Sequence, residues 1–179
     1  PAAAIGHSQG VLGVALLQAL TRADTIDEEQ VVEVHAIARL IGAAAARDTR
    51  RLDLGTVGES TPMLSVRGVT RQVLDAVLSR VPGAESLSIG VTNGRQAHIL
   101  SGRPAELEAV VSALEAAARR SANDRKERRR GGAVLNPVTE FLVTSVPFHT
   151  PLLAPAVEDV VAWAERAGLN TTLARELAA

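Results

Sequence analysis

Apolar residues recur with two different spacings along this chain of 179 residues, which predicts a mixture of strands and helices. A short apolar run at residues 2–6 leads through Gly-His-Ser-Gln-Gly into a longer apolar run at residues 9–20. The first run predicts a buried strand, and the second predicts the helix that follows it. A further helix is predicted from a capping-box signature at Thr25 and Glu28 to about Arg47.

The middle of the chain has the order strand, helix, strand, strand, helix. "PMLSVRG" predicts the first strand, and "TRQVLDAVLSRV" predicts a helix with one apolar face. "SLSIGV" and "AHILSG" flank "TNGRQ" and predict a hairpin whose turn contains Asn93 and Gly94. "PAELEAVVSALEAAARR" predicts the second helix, with Pro104 in its first turn. This order over residues 62–121 is most of a ferredoxin-like unit.

The last part of the chain contains a run of arginine and lysine at residues 119–130, then the apolar stretch "VTEFLVTSV". We predict that this stretch is a strand that returns to the core and that a helix follows over about residues 155–167. The tail "LNTTLARELAA" predicts no element. The chain is therefore expected to be an α/β protein, with residues 1–60 and 133–179 as its core. Residues 61–132 are expected to form an inserted ferredoxin-like subdomain with a basic connector.

Composition narrows the classes of function. Hydrophobic residues make up 46% of the chain and aromatic residues 2%, which favours a helix-rich α/β protein packed with aliphatic side chains. The net charge of −1 gives no global field that would select a nucleic acid or a membrane as partner. The absence of cysteine excludes disulfides, thiolate metal ligands and thiol nucleophiles. We expect a cytoplasmic protein without a metal site.

The opening stretch carries the strongest chemical signal. Ser8 lies between Gly6 and Gly10 in the G-x-S-x-G pattern of a nucleophile elbow, a sharp turn that exposes a serine oxygen between a strand and a helix. An elbow strand is normally supported by neighbouring strands, and none precedes this one. We therefore expect the chain to be a piece of a longer protein that lacks the upstream core strands.

A serine hydroxyl needs a base within hydrogen-bonding reach, and four histidines are available. His35 falls in a predicted helix and His98 in the hairpin, where surface or packing roles are expected. His7 adjoins the serine and is expected to shape the elbow. His149 follows a predicted strand in a loop bounded by two prolines, and such loops carry much of the catalysis in α/β folds. His149 is therefore our candidate base.

Four stretches together carry a family resemblance: "GHSQG", "TPMLSVRGVT", "VTNGRQAHILSGRP" and "SVPFHTPLL". In this order, over most of residues 3–165, the chain resembles the acyltransferase domain of fatty acid synthases. The likeness is greatest to the acetyltransferase domain of the fungal-type and bacterial type I multienzyme, in the malonyl-CoA:acyl carrier protein transacylase-like superfamily. The resemblance implies an α/β-hydrolase-like core and a function in fatty acid biosynthesis.

The resemblance also implies roles for particular residues. Ser8 would take an acyl group from a coenzyme A thioester and pass it to the phosphopantetheine thiol of an acyl carrier protein. His149, in "PFHT", would be the general base and then the acid, and the backbone N–H of Gln9 would bind the oxyanion. His7 and Asn93 would lie beside the substrate, although an Asn-Gly turn chosen for backbone reasons explains Asn93 equally well. The implied partners are the carrier protein and the other domains of the multienzyme.

The acyl group is suggested by one departure from malonyl-selective relatives, which carry an arginine that pairs with the malonyl carboxylate. In this chain the matching stretch is "RLIG", and Ile41 occupies the arginine's position. Arg39 is two residues away and is expected on another face of the helix. An apolar side chain at this site favours acetyl.

Several alternatives stay open. A malonyl or palmitoyl transferase of the same superfamily is one, and a serine hydrolase such as a thioesterase is another. A non-catalytic scaffold piece of a large assembly is the third. The basic run at residues 119–130 would meet the phosphates of coenzyme A or an acidic carrier protein, or it would serve as a solvated connector or as a contact inside the parent multienzyme.

Overall fold

The structure is a computed structural model that describes residue 14 and residues 28–54, 57–123 and 134–178. Contacts divide the chain into two compact units. The terminal unit comprises residues 1–48 and 154–179, and the central unit comprises residues 49–153.

The described residues contain both helices and strands, with strands in the central unit alone. The helices are α1 (Glu28–Arg51), α2 (Arg71–Leu78), α3 (Pro104–Asn123), α4 (Ala154–Arg166) and α5 (Thr171–Ala178). The strands are β1 (Met63–Arg67), β2 (Ser88–Gly94), β3 (Ala97–Ser101) and β4 (Val138–Phe141). Short 3₁₀ turns occur at Ala84–Ser86 and Pro151–Leu153. Within these ranges no helix combines the length and the apolar character that crossing a bilayer requires.

The four strands form one antiparallel sheet in the order β2-β3-β1-β4, within the central unit. The predicted strand, helix, strand, strand, helix order is confirmed, and β4 completes the ferredoxin-like order of elements. Our assignment of "VTEFLVTSV" to the core is wrong, because β4 pairs with β1 from Leu64↔Phe141 to Arg67↔Val138. The hydroxyl of Thr61 extends this pairing by donating a 2.6 Å hydrogen bond to the carbonyl of Leu142.

One face of the sheet is covered by α2 and α3. Their apolar residues and those of the strands form a single cluster of buried side chains: Leu64, Val66, Val69, Leu74, Val77, Val81, Ala84, Leu100, Leu107, Val110 and Leu114. Particular residues determine where the two helices begin. Thr70 caps α2 by accepting a hydrogen bond from the N–H of Val73, and Pro104 is the first residue of α3, where it needs no hydrogen-bond partner.

The predicted hairpin is confirmed, but its turn lies further along the chain than expected. Asn93 and Gly94 are the last residues of β2, and Arg95 and Gln96 form the turn. The pairing of β2 with β3 shifts register between Thr92 and Gly94, so an irregular strand end takes the place of the Asn-Gly turn.

The terminal unit is held together by small and aliphatic side chains of α1, α4 and α5. Its buried cluster consists of Ile37, Ala44, Ala156, Val160, Ala164 and Ala174. Arg47 forms an ion pair with Asp159, and its guanidinium lies 5.2 Å from the centre of the Trp163 ring. Hydrogen bonding from Arg175 to Glu158 joins α5 to α4 and lowers the pKa of that carboxyl group. No element was expected in the segment that forms α5.

Candidate active site

The loop that follows β4 carries the candidate base. The N–H of Phe148 donates a 3.0 Å hydrogen bond to the carbonyl of Val146, and the N–H of Leu153 donates to Thr150 at its other end. Between them, His149 has a φ of 58° in the left-handed region and an exposed side chain. Histidine is among the residues enriched in this conformation, which still costs free energy and persists only when its surroundings enforce it.

Those surroundings are the strands β2 and β3. The hydroxyl of Ser101 donates a 2.7 Å hydrogen bond to the carbonyl of Phe148, on one side of the histidine. On the other side, the hydroxyls of Ser88 and Thr150 are 3.3 Å apart. Ser88 and Ser101 are register partners, so the two contacts come from adjacent points on the hairpin. The loop is thus fixed to the sheet both before and after His149.

Gly90 supplies the third contact, between the two hydroxyl contacts. A Cβ built on Gly90 would lie 2.5 Å from the backbone oxygen of His149 and 2.6 Å from its Cβ. The register of β2 shifts between Ile89 and Val91, so Gly90 lies at a β-bulge, a feature common beside active sites. We did not identify Gly90, Ser88 or Ser101 from the sequence. A glycine inside a strand pattern was the available signal, because it indicates a bulge or a close backbone approach.

The predicted nucleophile and its neighbours lie outside the described residues. This applies to Ser8, to Gln9 and to His7, so the approach of His149 to Ser8 stays a prediction. Asn93 is exposed near the end of β2, three residues beyond Gly90. Ile41 is part of α1 in the terminal unit, where it is half-buried and packs against the apolar cluster. Arg39 is exposed on the same helix.

The other two described histidines have the surroundings predicted for surface or packing residues. His98 is buried, with Nε2 3.1 Å from the carbonyl of Val69 and Nδ1 3.3 Å from the hydroxyl of Thr92. His35 is exposed on α1. Of the basic run, residues 124–130 lie outside the described ranges, and Arg119 forms a surface ion pair with Glu115 at 3.6 Å.

Comparison with known proteins gives consistent results. The family described as "Fatty acid synthase central AT domain" matches residues 62–141, which contain all the strands and both helices of the ferredoxin-like unit. The fatty acid synthase beta subunit aflB of Emericella nidulans is 30% identical over 166 residues, which are 87% of this chain and 8% of that subunit. The chain therefore spans less than a tenth of the length of this curated relative.

Solved structures show the same fold. An acyltransferase domain of an iterative polyketide synthase in enediyne biosynthesis matches 93% of this chain and 34% of its own, with 25% identity and a TM-score of 0.55. A malonyl-CoA:acyl carrier protein transacylase from Xanthomonas oryzae pv. oryzae matches 92% of this chain and 42% of its own. Its identity is 22% and its TM-score 0.58, so the likeness concerns the fold.

Proposed function

Because this chain belongs to the acyltransferase family of fatty acid synthases, we propose that it transfers acetyl groups within such a synthase. Acetyl-CoA is the donor, and the phosphopantetheine thiol of an acyl carrier protein is the acceptor. The observation that carries this proposal is the position of His149. His149 lies in "PFHT", one of the sequence stretches that resemble the family. It is held in a strained conformation by residues 62–141, the range that matches the family.

The proposed reaction has two steps through an ester on Ser8. His149 takes the proton of the Ser8 hydroxyl, whose oxygen attacks the thioester carbonyl of acetyl-CoA. The N–H of Gln9 stabilises the resulting oxyanion. The C–S bond then breaks, and the coenzyme A sulfur leaves as a thiol with the proton that His149 returns. In the second step His149 takes the proton of the pantetheine thiol, whose sulfur attacks the ester, and Ser8 leaves with the proton.

The choice of acetyl rests on Ile41. Its half-buried side chain packs with apolar neighbours of the terminal unit, and such a site gives a carboxylate no opposite charge. Burying an unpaired carboxylate costs several kcal/mol, whereas a methyl group is buried without that penalty. We therefore propose that the priming acetyl unit is preferred to malonyl.

We also propose that the terminal unit is part of an α/β-hydrolase-like core and that the ferredoxin-like unit is inserted into it. In support, the chain enters the central unit at residue 49, in the last turn of α1, and leaves it at residue 153, immediately before α4. The acyl carrier protein and the other domains of the multienzyme are the proposed partners.

The experiment that tests the function is detection of the ester in the complete protein. After mixing with acetyl-CoA, peptide mass spectrometry is expected to find one acetyl group on Ser8, and Ser8→Ala is expected to abolish it. His149→Ala is expected to slow its formation by about 10²–10⁴-fold, the usual contribution of a general base. His35→Ala is the matched control, since this histidine is exposed on α1, and it is expected to keep the rate. Release of acetate without transfer to a thiol would identify a hydrolase, and complete absence of the ester would identify a scaffold.

A further inference from the structure

We propose that Gly90, together with the hydroxyl of Ser101, positions the imidazole of His149. The inference rests on the proposed role of His149 as the base, and it assigns the hairpin of the central unit a part in catalysis. Gly90 and Ser101 touch the backbone of the loop, so both act through the histidine and are positioning residues.

The contact at Gly90 leaves no room for a side chain. A Cβ there would lie 2.5 Å from the oxygen and 2.6 Å from the Cβ of His149, whereas nonbonded heavy atoms separate to about 3.5 Å. The clash involves atoms at and next to the backbone, so a small rotation of a flexible side chain cannot relieve it. Alanine at residue 90 would therefore move His149, the strand, or both by about 1 Å.

The need for glycine comes from this contact. Glycine is often required where φ is positive, as at Gly68 with a φ of 75°, but Gly90 is not among the described glycines with positive φ. Its own backbone conformation is open to other residues. What excludes a side chain at residue 90 is the proximity of the histidine.

The flanking hydrogen bonds concentrate the displacement on His149. Ser101 holds the carbonyl of Phe148, and the hydroxyl of Ser88 lies against the buried residue Thr150. Because Phe148 and Thr150 are both attached to the sheet, the loop cannot shift as a whole. His149 itself therefore takes up the displacement. A displacement of about 1 Å at a catalytic group costs about 10²-fold in rate.

The test is a double-mutant cycle in the complete protein, with formation of the Ser8 ester as the readout. Gly90→Ala is expected to lower the acylation rate constant by about 10²-fold and to leave the KM for acetyl-CoA nearly unchanged. In a His149→Ala background the same substitution is expected to cause little further loss, because the group that it displaces is already absent. Equal losses in the two backgrounds would overturn the proposal.

Gly68→Ala is the matched control for damage to the fold. A Cβ on Gly68 would lie 2.4 Å from the backbone oxygen of Asn136, so the clash is as severe and lies within the same unit, away from the His149 loop. This variant is expected to lower the melting temperature without the non-additive loss. Should Gly90→Ala fail to fold, Ser101→Ala is the second variant, because it releases the carbonyl of Phe148 without adding an atom. The same non-additivity with His149→Ala is expected, and its absence would overturn the proposal.

A readout independent of activity separates this proposal from the proposed function. Carbethoxylation of His149 by diethyl pyrocarbonate, followed by peptide mass spectrometry, reports the surroundings of the imidazole directly. Its rate relative to that of His35 is expected to change in Gly90→Ala and to stay the same in Gly68→Ala. An unchanged ratio in a folded Gly90→Ala protein would refute the positioning role. If the unsubstituted protein forms no ester on Ser8, the proposed function is refuted. The comparison of carbethoxylation rates at His149 and His35 remains valid in that case.

Discussion

The hydrogen bond between Ser101 and the His149 loop provides a direct measure of how firmly the sheet holds the candidate base. Ser101 has no solvent-exposed surface, and its hydroxyl donates to the carbonyl of Phe148 at 2.7 Å. Ser101→Ala removes the donor and changes the volume of the side chain very little. The carbonyl of Phe148, a half-buried residue, then loses its partner beside the buried side chain of residue 101.

The expected cost follows from this burial. Leaving one buried hydrogen-bonding group without its partner costs about 1–3 kcal/mol. Because the lost contact belongs to the loop, the cost is expected to appear as easier local opening of residues 146–153 rather than as global unfolding. At tenfold for each 1.4 kcal/mol, opening of the loop becomes about 5- to 150-fold more frequent.

Amide hydrogen exchange followed by mass spectrometry measures this opening in the complete protein. The informative amides are those of Phe148, which donates to Val146, and of Leu153, which donates to Thr150. Exchange in the peptide that contains them is expected to accelerate by the factor above. Ser79→Ala is the control, because the hydroxyl of Ser79 also donates to a carbonyl, that of Ala76 at 3.1 Å, but is exposed. The reasoning would be refuted if the loop amides of Ser101→Ala exchanged within a factor of about two of their rate in the unsubstituted protein. A factor of two corresponds to only about 0.4 kcal/mol.

Two further predictions concern the choice of acyl group and the buried cluster of the central unit. Ile41→Arg is expected to raise the ratio of malonyl to acetyl kcat/KM by at least about tenfold, because a charge-assisted pair with the carboxylate is worth about 1.5–3 kcal/mol. Steady-state assays with both donors measure the ratio, and an unsubstituted protein that already prefers malonyl would contradict the assignment. Leu107→Ala is expected to lower the free energy of unfolding by about 2–5 kcal/mol, because Leu107 has no exposed surface within the cluster of the central unit. A urea titration measures the loss, and Val143→Ala, at a fully exposed position, is expected to change the midpoint little.

Local patterns predicted the elements of the central unit well, because its helices and strands have clear apolar periodicities. The error at β4 has a physical cause. The pattern of "VTEFLVTSV" identifies a strand, but its pairing with β1 joins residues more than seventy positions apart, and nothing local specifies that partner. The helix α5 was missed because it is short. A signal was present, since the side chain of Asn170 accepts a hydrogen bond from the N–H of Leu173 as an N-terminal cap.

The candidate base was predictable, whereas the contacts that support it were not. His149 follows a strand and lies between prolines, and both features can be read directly from the sequence. The role of Gly90 depends on a contact with a residue 59 positions further along the chain. A glycine in a strand indicates that something approaches closely, but the approaching group is determined only by the tertiary structure.

The left-handed conformation of His149 links the fold to the proposed chemistry. A non-glycine residue with a φ of 58° is expected to relax toward a negative φ unless neighbouring contacts oppose the rotation. Ser101 holds Phe148, the residue before His149. Thr150, the residue after it, is buried against the hairpin. Gly90 allows the histidine backbone to approach β2 closely enough for both contacts to form at once. The free energy that keeps the imidazole in place thus comes from the packed sheet, so substitutions in the hairpin are expected to change catalysis even where they touch no substrate.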